Sequence, residues 1–121
     1  MQFEYFYGKQ SSQYAFYRIP KQLFTERRFD ALSIGAKLLY GMMIDRMELS
    51  QKNGWIDKQG RVYIYFTVDE VKDKFHCAND KAVKLMRELD CDKGIGLIES
   101  VRQGLGKPNI IYVKNFVSDT D

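Results

Sequence analysis

TVDEVKDKFHCANDKAVKLMRELD, residues 67–90, is the stretch on which the reading of this chain turns. Thr67 and Glu70 have capping-box spacing: the threonine oxygen accepts the backbone N–H three residues on, and the glutamate accepts the N–H of the threonine. A short helix is expected from there, with Val68, Val71 and Phe75 as its inner stripe. His76-Cys77-Ala78 is a break, and Asn79 or Asp80 is expected to cap a second helix running to about Asp90. In that helix Ala82, Leu85, Met86 and Leu89 recur at core-packing spacing, which turns Lys81, Lys84 and Arg87 outward at successive turns. Helix, short turn and helix follow one another in the order of a helix-turn-helix.

Downstream, 95–102 and 109–116 are β-type runs joined by Gln103-Gly104-Leu105-Gly106-Lys107-Pro108, whose glycines and proline punctuate a hairpin. That hairpin is the candidate wing. Upstream, Ser33 is expected to cap a long core helix over 34–51, with Ile34, Leu38, Leu39, Met42, Met43 and Met47 as its apolar positions. The methionines read as core filler. Asn53-Gly54 ends the helix, Trp55 pins its end to the sheet, and 61–66 is a further β-rich run. Pro20 opens a single helical turn, and 25–30 follows as a polar stretch. Residues 2–19 alternate aromatic and polar positions, which suggests two short extended segments broken at 8–12. The fold class expected is α+β, a winged helix-turn-helix with a C-terminal β-hairpin wing. Residues 1–13 are expected to form an extended arm, 14–116 the domain, and 117–121 the start of a linker, as in a fragment of something longer.

At 121 residues, 45% of them hydrophobic, the chain has material for one packed core. A net charge of +3 is too small to indicate nucleic acid by itself, and 67–116 carries nine basic against eight acidic residues. The field is therefore local. Cys77 and Cys91 are too few and too separated for a disulfide framework or a metal site, and Cys77 reads as a small buried hydrophobe, so reduced thiols in the cytoplasm are expected. Neither a signal peptide nor an apolar run of the ~18 residues needed to span a bilayer is present. An enzyme is not expected. His76 is the only histidine, no nucleophile elbow, metal cluster or phosphate loop accompanies it, and 94–96 and 104–106 lack the third glycine of a dinucleotide fingerprint. No cofactor or metal is implied.

Double-stranded DNA is the partner these residues suit. In a helix-turn-helix the second helix enters the major groove with its N-terminal residues at base edges, where Asn pairs with adenine and Lys or Arg with guanine. Asn79, Lys81 and Lys84 stand in those positions, Arg87 follows a turn later, and Lys74 and His76 flank the turn, where a phosphate would lie. Arg102, Gln103 and Lys107 border small residues that let backbone approach phosphates. The plain alternative is a solvated amphipathic helix whose basic field is diluted by Asp80 and Glu88. Phe3, Tyr5, Phe6 and Tyr7 either pair a second copy into a homodimer or fold back beside Tyr14 and Phe16.

Phe16-Tyr17-Arg18-Ile19-Pro20-Lys21-Gln22-Leu23-Phe24, Leu32-Ser33, Ala36-Lys37-Leu38-Leu39-Tyr40, Asp45-Arg46, Asn53-Gly54-Trp55-Ile56-Asp57 and Gly60-Arg61-Val62-Tyr63-Ile64 together resemble the N-terminal domain of plasmid replication initiator proteins of the RepA type. The resemblance runs from about residue 14 to 116. It implies a winged helix that binds repeated sites (iterons) in a plasmid origin as a dimer, joined by a linker to a C-terminal domain related to primosomal DnaD proteins, through which host replication proteins would be reached. A transcriptional regulator and a winged-helix interaction scaffold in replisome loading are the competing readings.

Overall fold

The computed structural model describes residues 2–8 and 13–117. Four α-helices, α1 Gln22–Thr25, α2 Ile34–Lys52, α3 Val68–Phe75 and α4 Asn79–Leu89, precede a hairpin of β1 Ile98–Val101 and β2 Ile110–Val113. This is an α+β winged helix-turn-helix.

α2 begins where expected, because the Ser33 hydroxyl oxygen accepts the Ala36 N–H at 3.1 Å. The expected inner stripe needs one correction: Ile34 is 68% exposed, whereas Ala36, Leu39, Tyr40 and Met43 are buried. The reason is the close approach of α4. A Cβ placed on Gly35 would come within 2.8 Å of Leu85 Cδ2, so a small residue faces α4 and the isoleucine beside it is turned to solvent. The same two helices share a carboxylate. Glu88 Oε1 accepts the Ser33 N–H at 2.8 Å and Oε2 accepts the Ser33 hydroxyl at 2.7 Å. In a local capping box that role falls to a residue three positions on, here Ala36; a glutamate 55 residues away performs it instead.

The polar stretch 25–30 conceals a core residue. Arg27–Phe29 forms a 3₁₀ turn that drives Phe29 inward, where its ring meets Phe116 edge-on at 5.0 Å. Arg28 covers the Phe116 ring and donates to the Phe116 carbonyl at 3.1 Å.

β1 and β2 pair antiparallel in the register Ile98 with Val113 and Val101 with Ile110. The run 61–66 joins this sheet at a single residue, Ile64, which exchanges both backbone bonds with Ile111 at 2.9 Å. The strands are shorter than the β-type runs because tertiary contacts claim both ends. Gly94 and Ile95 donate to the carbonyls of Asp90 and Glu88, at 2.8 and 2.9 Å. A Cβ on Gly94 would lie 2.1 Å from the Glu88 carbonyl oxygen, so backbone lies on backbone there. At the other end Tyr40 donates its hydroxyl to the Lys114 carbonyl at 2.6 Å, and burial pushes that phenol up to about 12.

The expected extended segments are not strands among the described residues of 2–19. Phe3, Tyr5, Phe6 and Tyr7 are exposed. Phe6 meets Tyr14 edge-on, and Tyr14 meets Phe16 likewise. Ile19 crosses α2 at Gly41, where a Cβ would approach Ile19 Cγ1 to 2.7 Å and the Arg18 carbonyl to 3.0 Å. Trp55 packs edge-on against Tyr65 at 5.1 Å, fastening the end of α2 to the 61–66 run as expected.

Asp57 organises the turn before that run. It accepts from the backbone N–H groups of Gln59 and Arg61, from Arg61 Nε and from the Tyr112 hydroxyl, at 2.8 to 2.9 Å. Desolvation works to raise its pKa, but these donors outweigh it and hold the carboxyl at about 2.

Ser33→Ala and Glu88→Ala should each cost about 1–3 kcal/mol of unfolding free energy in urea. The double variant should lose less than the sum, because both remove the bond from the Ser33 hydroxyl to Glu88 Oε2; strict additivity would show that this bond does not couple the helices. For Asp57 the folded pKa lies below the unfolded one, so its contribution is complete above the unfolded value near ~3.9 and disappears as pH falls through about 2. The stability gap between wild type and Asp57→Asn should therefore narrow over that window in thermal melts, and a gap independent of pH contradicts the assignment.

Candidate nucleic-acid interface

α3 is set by the expected capping box: Thr67 Oγ1 accepts the Glu70 N–H at 3.1 Å and Glu70 Oε1 accepts the Thr67 N–H at 3.3 Å. Glu70 also takes a 2.6 Å bond from Arg46 of α2, which donates its other terminal nitrogen to the Tyr65 carbonyl at 2.7 Å and lies over the Phe66 ring. Desolvation pushes the Glu70 carboxyl up, but the Arg46 hydrogen bond prevails and holds it below its ordinary range. Arg46 thus clamps the start of the motif. In the sequence nothing beyond the family resemblance marks it, because its partners lie 19 and 24 residues away.

α3 ends at His76, which adopts a left-handed backbone at φ 50 and ψ 49. That conformation costs a non-glycine residue free energy, although histidine tolerates it better than most. It reverses the chain sharply enough for the Cys77 N–H to reach the Lys72 carbonyl at 3.1 Å. The cap of α4 is then Ala78, not Asn79 or Asp80, and it makes no side-chain bond. The reversal leaves only 77 and 78 for the extended step before the helix, so Asn79 is already helical and its amide is not used as a cap.

Asn79, Lys81, Lys84 and Arg87 are all exposed, while Ala82, Leu85 and Leu89 are fully buried. Among the described residues none of these four side chains has an ion-pair or side-chain hydrogen-bond partner, and the same holds for Lys74 and His76, exposed beside the turn. Glu88, expected to dilute the basic face, is instead bound at the N-terminus of α2, where the helix dipole favours a carboxylate. Asp80 is the acidic residue left exposed on the first turn.

The hairpin stands beside this helix. Thr67, Val68, Met86, Ser100, Pro108 and Asn109 line one groove between the motif and the wing. Arg102, Gln103 and Lys107 are exposed on the connecting loop, and Gln103 reaches the Tyr65 hydroxyl at 3.4 Å. Phe16, whose ring meets Tyr14, lines a hollow with Arg18, Ile44, Asp45 and Glu48 along the middle of α2. Among the described residues no group of three or more His, Cys, Asp or Glu could hold a metal ion, and no helix is long and apolar enough to cross a membrane.

Residues 15–121 match the family described as Replication initiator protein A (RepA) N-terminus. The chain belongs to this family. The chain is 33% identical over 94 residues to a 41 kDa protein of Lactobacillus helveticus, a match that covers 78% of the chain and 26% of that protein, so it spans about a quarter of its relative. Two solved structures are similar throughout. One, described as the N-terminal domain of a DNA-binding protein, is 33% identical with a TM-score of 0.74, over 98% of this chain and 88% of the other. The second, described as a Rep–DNA complex, is 31% identical with a TM-score of 0.75, over 95% and 86%.

Proposed function

We propose that this domain binds double-stranded DNA at repeated sites in a plasmid origin and so initiates plasmid replication, in the cytoplasm and without enzymatic activity of its own. The observation that carries the reading is a row of exposed, unpartnered side chains on α4, Asn79, Lys81, Lys84 and Arg87, beside a wing bearing Arg102, Gln103 and Lys107. Family membership and the likeness to a Rep–DNA complex support it. Asn79, Lys81 and Lys84, on the first turns of the helix, are assigned to base edges or adjacent phosphates. Arg87, Lys74 and His76 are assigned to phosphates, and the wing residues to the backbone or the neighbouring minor groove.

With so few cations each one matters, and pairing two copies doubles the phosphates neutralised per site. The exposed rings of Phe3, Tyr5, Phe6 and Tyr7 are assigned to that homodimer, since an exposed aromatic segment gains free energy when a second copy covers it. Contacts with host replication proteins are assigned to a C-terminal domain of the whole initiator.

Lys81→Ala and Lys84→Ala test the groove assignment in a duplex-binding titration. Removing a base-reading lysine costs about 1–3 kcal/mol and relaxes preference at one position, whereas removing a phosphate-binding one weakens all duplexes evenly. Alanine at both Arg102 and Lys107 should lower the slope of log affinity against log salt by about 0.9 for each phosphate no longer neutralised. Unchanged affinity and salt slope in all three variants rule the interface out, and equal affinity for selected and random duplexes points to an interaction scaffold. For the dimer, deletion of residues 1–8 should halve the mass found by sedimentation; a truncated domain that sediments as before removes the arm from the interface.

A further inference from the structure

At the tip of the wing stands a leucine that packs on nothing. Leu105 is 100% exposed. The Lys107 N–H donates to the Gly104 carbonyl at 3.2 Å, closing a four-residue turn with Leu105 second and Gly106 third, at φ 76. A positive φ at the third position alone is the type II arrangement, and it demands glycine there. Gly104, at φ 131, brings the chain into the turn. A Cβ on either glycine would meet nothing within 4 Å, so both serve the backbone path and not packing. The turn itself makes no demand for leucine at its second position, where proline is the common choice. A water-exposed leucine forgoes the free energy of burial, so the tip holds a preformed apolar point that gains free energy when a partner covers it.

The surroundings of that point select its occupant. Arg102 and Lys107 are the ionisable residues of the loop 102–109, and neither has an acidic partner among the described residues. A protein surface that buried Leu105 would also have to desolvate two cations, which is unfavourable unless it supplied carboxylates. A DNA minor groove meets both requirements, with phosphates on its rims and apolar base faces at its floor once a step opens. Resting on the duplex-binding reading above, the geometry points to Leu105 as a wedge that enters the minor groove next to the helix-turn-helix and partly unstacks one base step. Arg102 and Lys107 grip the phosphates on either side. The wedge bends the DNA, and it makes the wing position selective for the pyrimidine–purine steps that open most easily, at a place where no side chain reads a base edge.

The test uses duplexes recovered by in vitro selection from a random-core library, labelled at both ends for energy transfer and carrying 2-aminopurine at the step under the wing. Wild type should shorten the end-to-end distance and raise the 2-aminopurine fluorescence. Leu105→Ala should abolish both signals and weaken binding on the order of tenfold, with Leu105→Met retaining them. Since Leu105 packs on nothing, the alanine variant should melt with wild type, which separates the effect from folding. Wild-type binding with signals that survive Leu105→Ala sinks the wedge and leaves the binding reading intact. An alanine variant that changes only the sedimenting mass reassigns the leucine to a protein contact, and a wild type that binds no duplex overturns wedge and binding reading together.

Discussion

One carboxylate holds the geometry on which the proposed interface depends. Glu88 lies on the last turn of α4, yet both its oxygens are bound by Ser33 at the first turn of α2. The pair completes the cap of one helix with a side chain of another, and the partial positive charge at the α2 N-terminus favours the anion. Leu85 against Gly35 fixes the spacing of the two helices, and Glu88 fixes which face of α4 turns inward. The row Asn79, Lys81, Lys84 and Arg87 points outward as a consequence of that inner face. The same region governs the wing, because the Glu88 carbonyl accepts from Ile95 and Gly94 lies against the α4 backbone just before β1.

The rest of the domain braces this arrangement from the far side. Arg46 joins α2 to the start of α3 and to the 61–66 run, Tyr40 holds the segment just after β2, and Phe116 closes over Phe29. Asp57 gathers Arg61 and Tyr112 so that the turn before the sheet keeps its register with β2. The polar members of this set have their charges and hydrogen bonds engaged within the fold. Among the described residues the cations of α4 and the wing do not, and this division supports the proposed surface more strongly than the small net charge of the chain.

Much of the fold is legible in the sequence because its signals are local. The Thr67–Glu70 box, the Ser33 cap, the apolar spacing of Ala82, Leu85 and Leu89 and the glycine-rich loop at 103–108 each depend on residues within a turn or two. The illegible features involve distant partners. Phe29 sits in a polar stretch and is buried only because Phe116 returns to it. Glu88 reads locally as a charge opposing DNA, although its partner is Ser33. Asn79 has the chemistry of a cap, but the left-handed His76 moves the cap to Ala78.

By itself, then, the sequence determined which segments become helices, where the hairpin turns and which residues of α4 can face outward, because backbone propensity and the 3.6-residue period act over short distances. The tertiary structure alone decided which charges are engaged within the fold and which remain available, where the strands stop, and that Leu105 stands free at the tip of the wing. Those outcomes depend on contacts between residues far apart in the chain, and no local pattern encodes which distant group will arrive to meet a given side chain.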